Sequence, residues 1–460
     1  MSFSRNTFTN IFGEISSEFN VYTIEDIASD EKRSIISGPF GSNISSKYFT
    51  EHGVPVIRGN NLTEDNTKFI DGGFVFVSEE KAKELNTYAD VDDLVFTAAG
   101  TIGQVGIIPK NSKFDRYIIS NKQLRVTLDL NKVNQHYAYY WFSSKLINKY
   151  IKQLNTGSTI PLINLSILKG LPIPLPSKDL QDKIANIIIN IDKKIETNER
   201  INKNLEEQLL RIFDSWFLKF ELSNEFSDSK LGLIPKGWKI DYLGSKKSCS
   251  IIKSGIDEFD NSKIYIATAD VDNSIITSND TLITMDDKPS RANMQPISNS
   301  IWFAKMIDSK KLIMVDEYCN DLLNNYIFST GFCGLKCVDK YFYYLWTFLL
   351  TDVFDVMKNN FCTGTTMQAI NNKDTKLIEF VLPDDKTITQ FNSIAKPMFK
   401  KIYYNNLEIK KLQRLRDTLL PKLMSGEIDV SEVNCDLELK YNYMKYLFNQ
   451  IHTPMSKSVV

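Results

Sequence analysis

The densest run of side chains able to make paired hydrogen bonds is KPSRANMQ, residues 288–295, which holds Lys288, Ser290, Arg291, Asn293 and Gln295, with Lys305, Lys310 and Lys311 close behind. A guanidinium or ammonium matches the acceptor edge of guanine, and an Asn or Gln amide matches the donor and acceptor pair of adenine. Cationic and small polar groups hold phosphates, so the chemistry such a loop offers is recognition of a nucleic acid. Each side chain taken singly has a plain use as a solvated surface group; the loop as a group is what stands out.

Bond-making chemistry has no comparable carrier. There is no Gly-rich loop ending in Gly-Lys-Ser/Thr to hold a triphosphate, no Asn/Asp-Pro-Pro-Tyr/Phe element of an amino-methyltransferase, and no G-x-G-x-x-G. Gly100 and Gly103 in GTIG read as turn residues. All six cysteines (Cys249, Cys319, Cys333, Cys337, Cys362, Cys435) lie in the second half, and only His52, His136 and His452 occur, which fits neither a disulfide framework nor a zinc site. Neither a metal nor a cofactor of its own is expected.

The 460 residues carry 55 basic and 56 acidic side chains, and 42% are hydrophobic, enough for two or three domains with ample cores. A net charge of −1 excludes a strongly basic nucleic-acid binder, so any contact with phosphates must come from local patches. The longest aliphatic stretch, residues 187–189, is far short of the roughly 18 apolar residues of a membrane span, and no apolar signal core opens the chain. A soluble, cytoplasmic protein with no membrane partner is expected.

The elements that must position the loops repeat. TGSTIPLIN at residues 156–164 recurs as TGTTMQAIN at residues 363–371, an offset of 207. The same offset pairs Lys169 with Lys376, Leu175 with Leu382, Asn198 with Asn405 and Leu205 with Leu412, and it reaches back to Tyr137 and Tyr344. The chain is two diverged copies of one unit. The front of each copy (residues 21–176 and 238–383) carries short β-rich runs punctuated by Gly, Pro, Asn and Asp, with helices predicted over 136–153 and 340–357, so a mixed α/β module is expected.

The back of each copy is a long amphipathic helix. Apolar residues fall at steps of three and four through Ile184, Ile188, Ile191, Ile195, Ile201, Leu205 and Leu209, broken by Asn198. They recur through Phe391, Ile394, Met398, Ile402, Ile409, Leu412 and Leu415, broken by Asn405. Each helix of about 40 residues would reach roughly 60 Å. Pro176 and Pro383 mark the starts, Pro421 should kink or end the second helix, and Gly426 is a stop signal.

Matched seams (Ile191, Ile195, Asn198 and Leu205 on one helix; Ile402, Asn405 and Leu412 on the other) should pack together. A compact module between them, with a radius of gyration near about 15 Å, could not easily bridge such a rod, so the pair should be antiparallel with one module at each end. The expected fold is α+β, two α/β modules separated by two long antiparallel coiled-coil helices with a pseudo-two-fold internal repeat. The corresponding segments are 1–176, 177–222, 223–383, 384–428 and a tail, 429–460. Asn198 and Asn405 would meet near the dyad, where a buried Asn pair fixes register; solvated seam-edge residues are the equal alternative.

A particular set of motifs, in order, carries a resemblance. SGPFGS at residues 37–42, VPVIRGNN at 54–61, TAAGTIGQVG at 97–106, SNKQLRV at 120–126, the repeated TGST/TGTT segments and LRDTLLPKLMSGEI at 415–428 together resemble the specificity subunits of type I restriction-modification systems. The resemblance covers residues 22–428. It implies two target-recognition domains that each bind one half of an asymmetric, interrupted site in double-stranded DNA, with helices that set the gap and dock methyltransferase subunits, two being expected. S-adenosylmethionine would then serve those subunits, and ATP and Mg the restriction/translocase subunits, while this chain does no chemistry itself.

In the first domain Lys47, Arg58, Asn60, Asn61, Lys122, Gln123 and Arg125 lie in or beside the matched motifs and join the 288–295 loop and Lys305 as candidate DNA contacts. Residues 38–41 are expected to form a turn with a buried Phe40. The second domain has only KSGI, residues 253–256, in place of SGPFGS, and the tail from residue 431 matches no element of the family. The rival reading is a scaffolding protein whose two modules engage something other than DNA, which the near-neutral charge allows.

Overall fold

The computed structural model describes residues 4–64 and 68–431. Cys435, His452 and the aromatic run of the tail lie outside them. The chain divides into two compact units, residues 1–197 with 408–460, and residues 198–407. The division cuts each long helix near its middle, and each half contributes to the core of one unit.

In the first unit β1 (Asn20–Thr23), β2 (Ile35–Ser37), β3 (Val54–Ile57), β4 (Val75–Val77) and β5 (Tyr88–Ala89) are followed by β6 (Leu94–Thr97), β7 (Val105–Ile107), β8 (Tyr117–Ile119), β9 (Gln123–Val126) and β10 (Pro172–Leu175). They form two four-stranded sheets of order β2-β9-β6-β7 and β4-β3-β8-β5, plus the pair β1-β10. All pairings are antiparallel except β3 with β8. Val95, Val56, Ile118 and Ile119 are fully buried, as expected of short apolar runs covered on both faces.

The second unit repeats this topology. Besides two short hairpins, Phe226–Ser229 with Gly232–Pro235 and Val271–Asp272 with Ile275–Ile276, its corresponding strands are β11 (Lys239–Tyr242), β12 (Cys249–Ile251), β13 (Lys263–Ile266), β14 (Leu282–Ile283), β15 (Ala292–Met294), β16 (Ser300–Ala304), β17 (Leu312–Val315), β18 (Tyr326–Ser329), β19 (Phe332–Cys337) and β20 (Glu379–Leu382). They are ordered β12-β19-β16-β17 and β14-β13-β18-β15, with β11-β20 as a pair, and β13 with β18 is again parallel. The retained tyrosines explain one fixed point of the repeat: Tyr137 Oη donates to Pro174 O at 2.7 Å and Tyr344 Oη to Val381 O at 2.5 Å. A buried phenol needs a partner, and the closing strand supplies it in both copies.

The single helices expected over 136–153 and 340–357 are each two. They are α1 (Gln135–Ser143) and α2 (Lys145–Gln153) in the first unit, and after α3 (Lys178–Phe213) the pair α4 (Phe342–Leu350) and α5 (Asp352–Asn360) in the second. Ser144 and Thr351 make the breaks, at equivalent positions. The hydroxyl of each accepts from the amide three residues on, capping the following helix.

α3 starts after Ser177, whose carbonyl receives Gln181 N, and passes at Asp214–Leu218 into a π-helical turn. α6 (Asp385–Ser425) starts on Asp384, whose carboxylate accepts from Thr387 N at 2.7 Å. α6 does not end at Pro421 but runs through it and stops at Gly426, the expected stop. That residue adopts φ +74, and a Cβ there would lie 2.6 Å from Ser16 Cβ.

Within each unit the two helices run antiparallel. In the first, Asp192 meets Arg416 at 3.0 Å and Lys194 meets Glu408 at 3.7 Å, the second number falling as the first rises. In the second, Asn202 meets Asn406 and Phe213 meets Phe391. Ile191 and Ile195 are buried in the first core with Leu412 packed against it; Ile402 packs against the second core, and Leu205 is half-buried.

Asn198 and Asn405 are each 1% exposed, so they are core groups and not solvated seam-edge residues. Asn405 Nδ2 donates to Asn202 Oδ1 at 2.7 Å, and Asn202 Nδ2 to Asn406 Oδ1 at 2.8 Å. This run of amides inside an apolar seam favours one register, because sliding either helix would strand buried donors.

Candidate nucleic-acid interface

In the first unit the parallel senses of β2 with β6 and of β3 with β8 bring the segments after all four strands to one edge. Hydrogen bonds hold them side by side: Gly38 N to Gln123 O (2.9 Å), Ser120 N to Ile57 O (3.0 Å) and Ala98 N to Lys122 O (2.7 Å). The repeated hairpin joins the same edge through Ile163 N to Ala98 O (2.8 Å) and Gly100 N to Pro161 O (2.9 Å). Gly38 is required here, since a Cβ would lie 1.8 Å from Ser120 O. Gly100 and Gly103 are turn residues as expected, with φ of +92 and +101.

The candidate side chains divide on this edge. Asn60 and Lys122 are exposed and free to meet a ligand, and Arg58 is half-buried; Lys47 is exposed too, but its ammonium lies over the Tyr48 ring, 4.7 Å from the centroid, and the same ring holds Lys81 from the segment after β4. Asn61 is fully buried, with both amide hydrogens committed to Ile70 O and Gly72 O at 2.9 Å and its oxygen accepting from Arg58 N. Gln123 is 1% exposed and bonded to the Ser120 hydroxyl. Arg125 faces inward to Asp93 at 3.7 Å and to Ser34 O and Thr127. Asn61 and Gln123 are spent in building the loops, and Arg125 in tying together the far end of the sheet. Phe40 corrects the sequence expectation the other way: it is 85% exposed, because Ile44 fills the core position and Gly38, packed on Ser120, leaves the next turn outside.

The second unit builds the matching edge. Lys305 N donates to Gly331 O and Ile370 N to Lys305 O, both at 2.9 Å, and Ile307 N to Gln368 O at 3.0 Å. The turn 267–270 copies 58–61, with Ala267 N donating to Asp270 Oδ2 at 2.8 Å as Arg58 N does to Asn61. The 288–295 loop is partly strand: β15 pairs Ala292 with Ser329, which sets Arg291 beside the β18–β19 turn, where its carbonyl accepts from Thr330 N at 2.9 Å. Gly255 N bonds Asn293 O at 2.9 Å, so KSGI lies on this edge too.

Arg291 and Ser290 are exposed and Lys288, Asn293 and Gln295 half-buried. Lys305 donates to Thr330 O at 3.1 Å, Lys311 to Thr268 O at 2.7 Å, and Lys310 pairs with Asp352 at 2.8 Å, which makes them loop supports. Exposed Asn121 and the hairpin residues 158–160, absent from the sequence candidates, stand on the first edge beside Lys122. The signal for the hairpin was present in the repeated TGST/TGTT itself.

In the first unit the opposite end of the β2-β9-β6-β7 sheet, where β6 begins and β9 ends, holds a buried carboxylate. Asp93 is 4% exposed and accepts from Asp90 N (2.9 Å) and from the Thr127 hydroxyl (2.6 Å), and burial pushes its carboxyl up to about 6 despite the Arg125 guanidinium, which acts the other way. The folded chain therefore holds a proton that the unfolded chain has released, and the contribution of this group to stability falls as pH rises from about 4 to about 6. Asp93→Asn, which cannot ionise, should flatten the pH dependence of unfolding between pH 4.5 and 7.5 by about 2 kcal/mol relative to wild type. Hydrogen-exchange protection of β6 and β9 amides, measured for both proteins at the two pH values, checks this; parallel profiles would contradict it.

Among the described residues no group of three His, Cys, Asp or Glu side chains is placed to hold a metal ion, and no helix is long and apolar enough to cross a membrane. Cys249 and Cys319 are buried, which raises each thiol to about 11.

Residues 16–207 match the family model of the type I restriction modification DNA specificity domain. The chain is 28% identical over 435 residues to the type I restriction enzyme MjaIX specificity subunit of Methanocaldococcus jannaschii, covering 92% of this chain and 96% of that one. To the HindI specificity subunit of Haemophilus influenzae it is 22% identical, with 79% and 94% covered. The crystal structure of a type I restriction-modification S subunit from M. genitalium shares the fold at 17% identity and a TM-score of 0.52, over 89% of this chain and 96% of its own. Residues 16–207 thus carry the likeness to the type I restriction modification DNA specificity domain, and the chain along most of its length is similar in sequence to specificity subunits of type I restriction enzymes and shares the fold of an S subunit.

Proposed function

We propose that each unit lays its loop edge on one half of an asymmetric, two-part site in double-stranded DNA, and that the helices shared by the units set the gap between the halves. The observation that carries this reading is the recurrence of one loop edge on two copies of one fold with different exposed side chains, Asn60, Asn121 and Lys122 on one and Ser290 and Arg291 on the other. Equal scaffolds with unequal reading residues suit a ligand of two unlike halves.

The outer faces of the helices dock methyltransferase subunits, two for the two copies. Those subunits transfer methyl groups from S-adenosylmethionine to adenine, and restriction/translocase subunits use ATP and Mg to move and cut DNA. This chain contributes recognition and no catalytic group.

Selection of random duplexes by the chain assembled with its methyltransferase subunits tests the proposal. The expected product is a two-part motif with a constant gap, bound more weakly as salt rises because cationic side chains displace counterions. Recovery of no motif would favour a scaffold for another class of partner.

A further inference from the structure

The two copies can be compared with one another position by position, and the repeated hairpin then separates into residues the fold needs and residues it does not. Gly157 and Gly364 are needed, because a Cβ would lie 1.8 Å from Ile160 O and 2.6 Å from Met367 O. Ile163 and Ile370 are each 1% exposed in the cores, and Asn164 and Asn371 cap the turns that follow, accepting from Ile167 N and Asp374 N at 2.9 Å. Packing and capping account for their retention.

Ser158, Thr159 and Ile160 and their counterparts Thr365, Thr366 and Met367 have no such account. All six are exposed, Ile160 at 56% and Met367 at 71%, yet a pair of hydroxyls followed by a bare aliphatic tip stands in both copies. Their neighbours on the same edge have diverged. Asn121 and Lys122 correspond to Thr330 and Gly331 at the equivalent turn of the other copy, Leu162 to Ala369, and Phe40 has no equivalent. The edge therefore meets one thing common to both units and another that differs between them.

In duplex DNA those two things are the sugar-phosphate backbone, which is uniform, and the base edges, which are not. Hydroxyls of Ser and Thr bond phosphate oxygens, and an aliphatic tip suits the carbon face of a sugar. Resting on the reading in which each edge lies on DNA, we propose that the hairpin tips 158–160 and 365–367 grip the DNA backbone and seat each recognition unit without reading bases. The place of the hairpin, bonded through Ala98 to the Lys122 turn in one unit and through Lys305 to Gly331 in the other, favours DNA over a shared protein partner.

The test uses the whole chain assembled with its methyltransferase subunits, comparing wild type with the quadruple variant Ser158→Ala, Thr159→Ala, Thr365→Ala, Thr366→Ala. The affinity of the variant for the selected duplex and for an unrelated duplex should fall in parallel, by tenfold or more, while the methylated motif stays the same. Restoring hydroxyls as Thr159→Ser and Thr366→Ser should recover much of the loss. Unchanged affinity, or a changed motif, would overturn the inference. So would loss of methyltransferase subunits on size-exclusion chromatography, which would make the tips a protein-docking surface. A wild-type complex that selects no duplex would instead sink the reading beneath it, and the two failures are told apart by the wild-type arm alone.

Discussion

Asp192→Ala should loosen the first unit more than any other single substitution at its helices. Asp192 is 5% exposed and accepts from Arg416 Nη1 at 3.0 Å and Tyr140 Oη at 2.5 Å, with Lys68 Nζ at 3.8 Å. One carboxylate on α3 thus ties the recognition module, through α1, to α6. Removing it leaves the Arg416 guanidinium, itself largely buried, without its partner in the core, which costs about 3–5 kcal/mol.

Because the chain holds two units, one global unfolding energy is a poor measure, and local exchange is the better one. Amides of residues 137–142 should exchange a hundredfold faster or more in Asp192→Ala, with amides of α4 unchanged. Asp192→Leu combined with Arg416→Met should restore most of the protection, since apolar groups of similar volume can replace a buried ion pair. Less than tenfold acceleration would mean that the pair does not hold module and helices together.

Lengthening both helices should change the gap and nothing else. α3 passes from the first unit to the second between Thr197 and Asn198, and α6 returns between Leu407 and Glu408. Seven residues inserted at both places keep the seam in phase and add about 10 Å at roughly 1.5 Å per residue, close to three base-pair rises of about 3.4 Å. The site methylated should keep both half-sequences with a gap about three base pairs longer. An insertion in one helix alone cannot keep both the Asp192–Arg416 pair of the first unit and the amide run of Asn202, Asn405 and Asn406 in the second in register, and should lose the complex.

The frame of the molecule was legible because it rests on periodicity and repetition. Steps of three and four through Ile184 to Leu209 can only face a partner as a helix, and the 207-residue offset reappears in hydrogen bonds such as Ile163 to Ala98 and Ile370 to Lys305. The breaks at Ser144 and Thr351 were missed although each is a standard cap, because the apolar pattern continues across them.

The site was half legible. Multi-donor side chains that can read a base can equally satisfy a buried loop, and composition does not say which way they face: Lys122 points out, while Asn61, Gln123 and Arg125 are spent within the fold. Phe40 misled for the converse reason, since apolarity alone predicts burial and the packing of Gly38 on Ser120 overrides it. Each edge is assembled from segments far apart in sequence, so its membership follows from strand order, which single motifs do not encode.

The most direct test of the central claim is to sequence the methylated adenines produced on a random duplex library by complexes containing the wild-type chain and, beside it, the chain lengthened in both helices. Two fixed half-sequences whose separation grows only in the lengthened chain is the predicted outcome. A single unbroken motif, or half-sequences that change while their spacing stays constant, would contradict it.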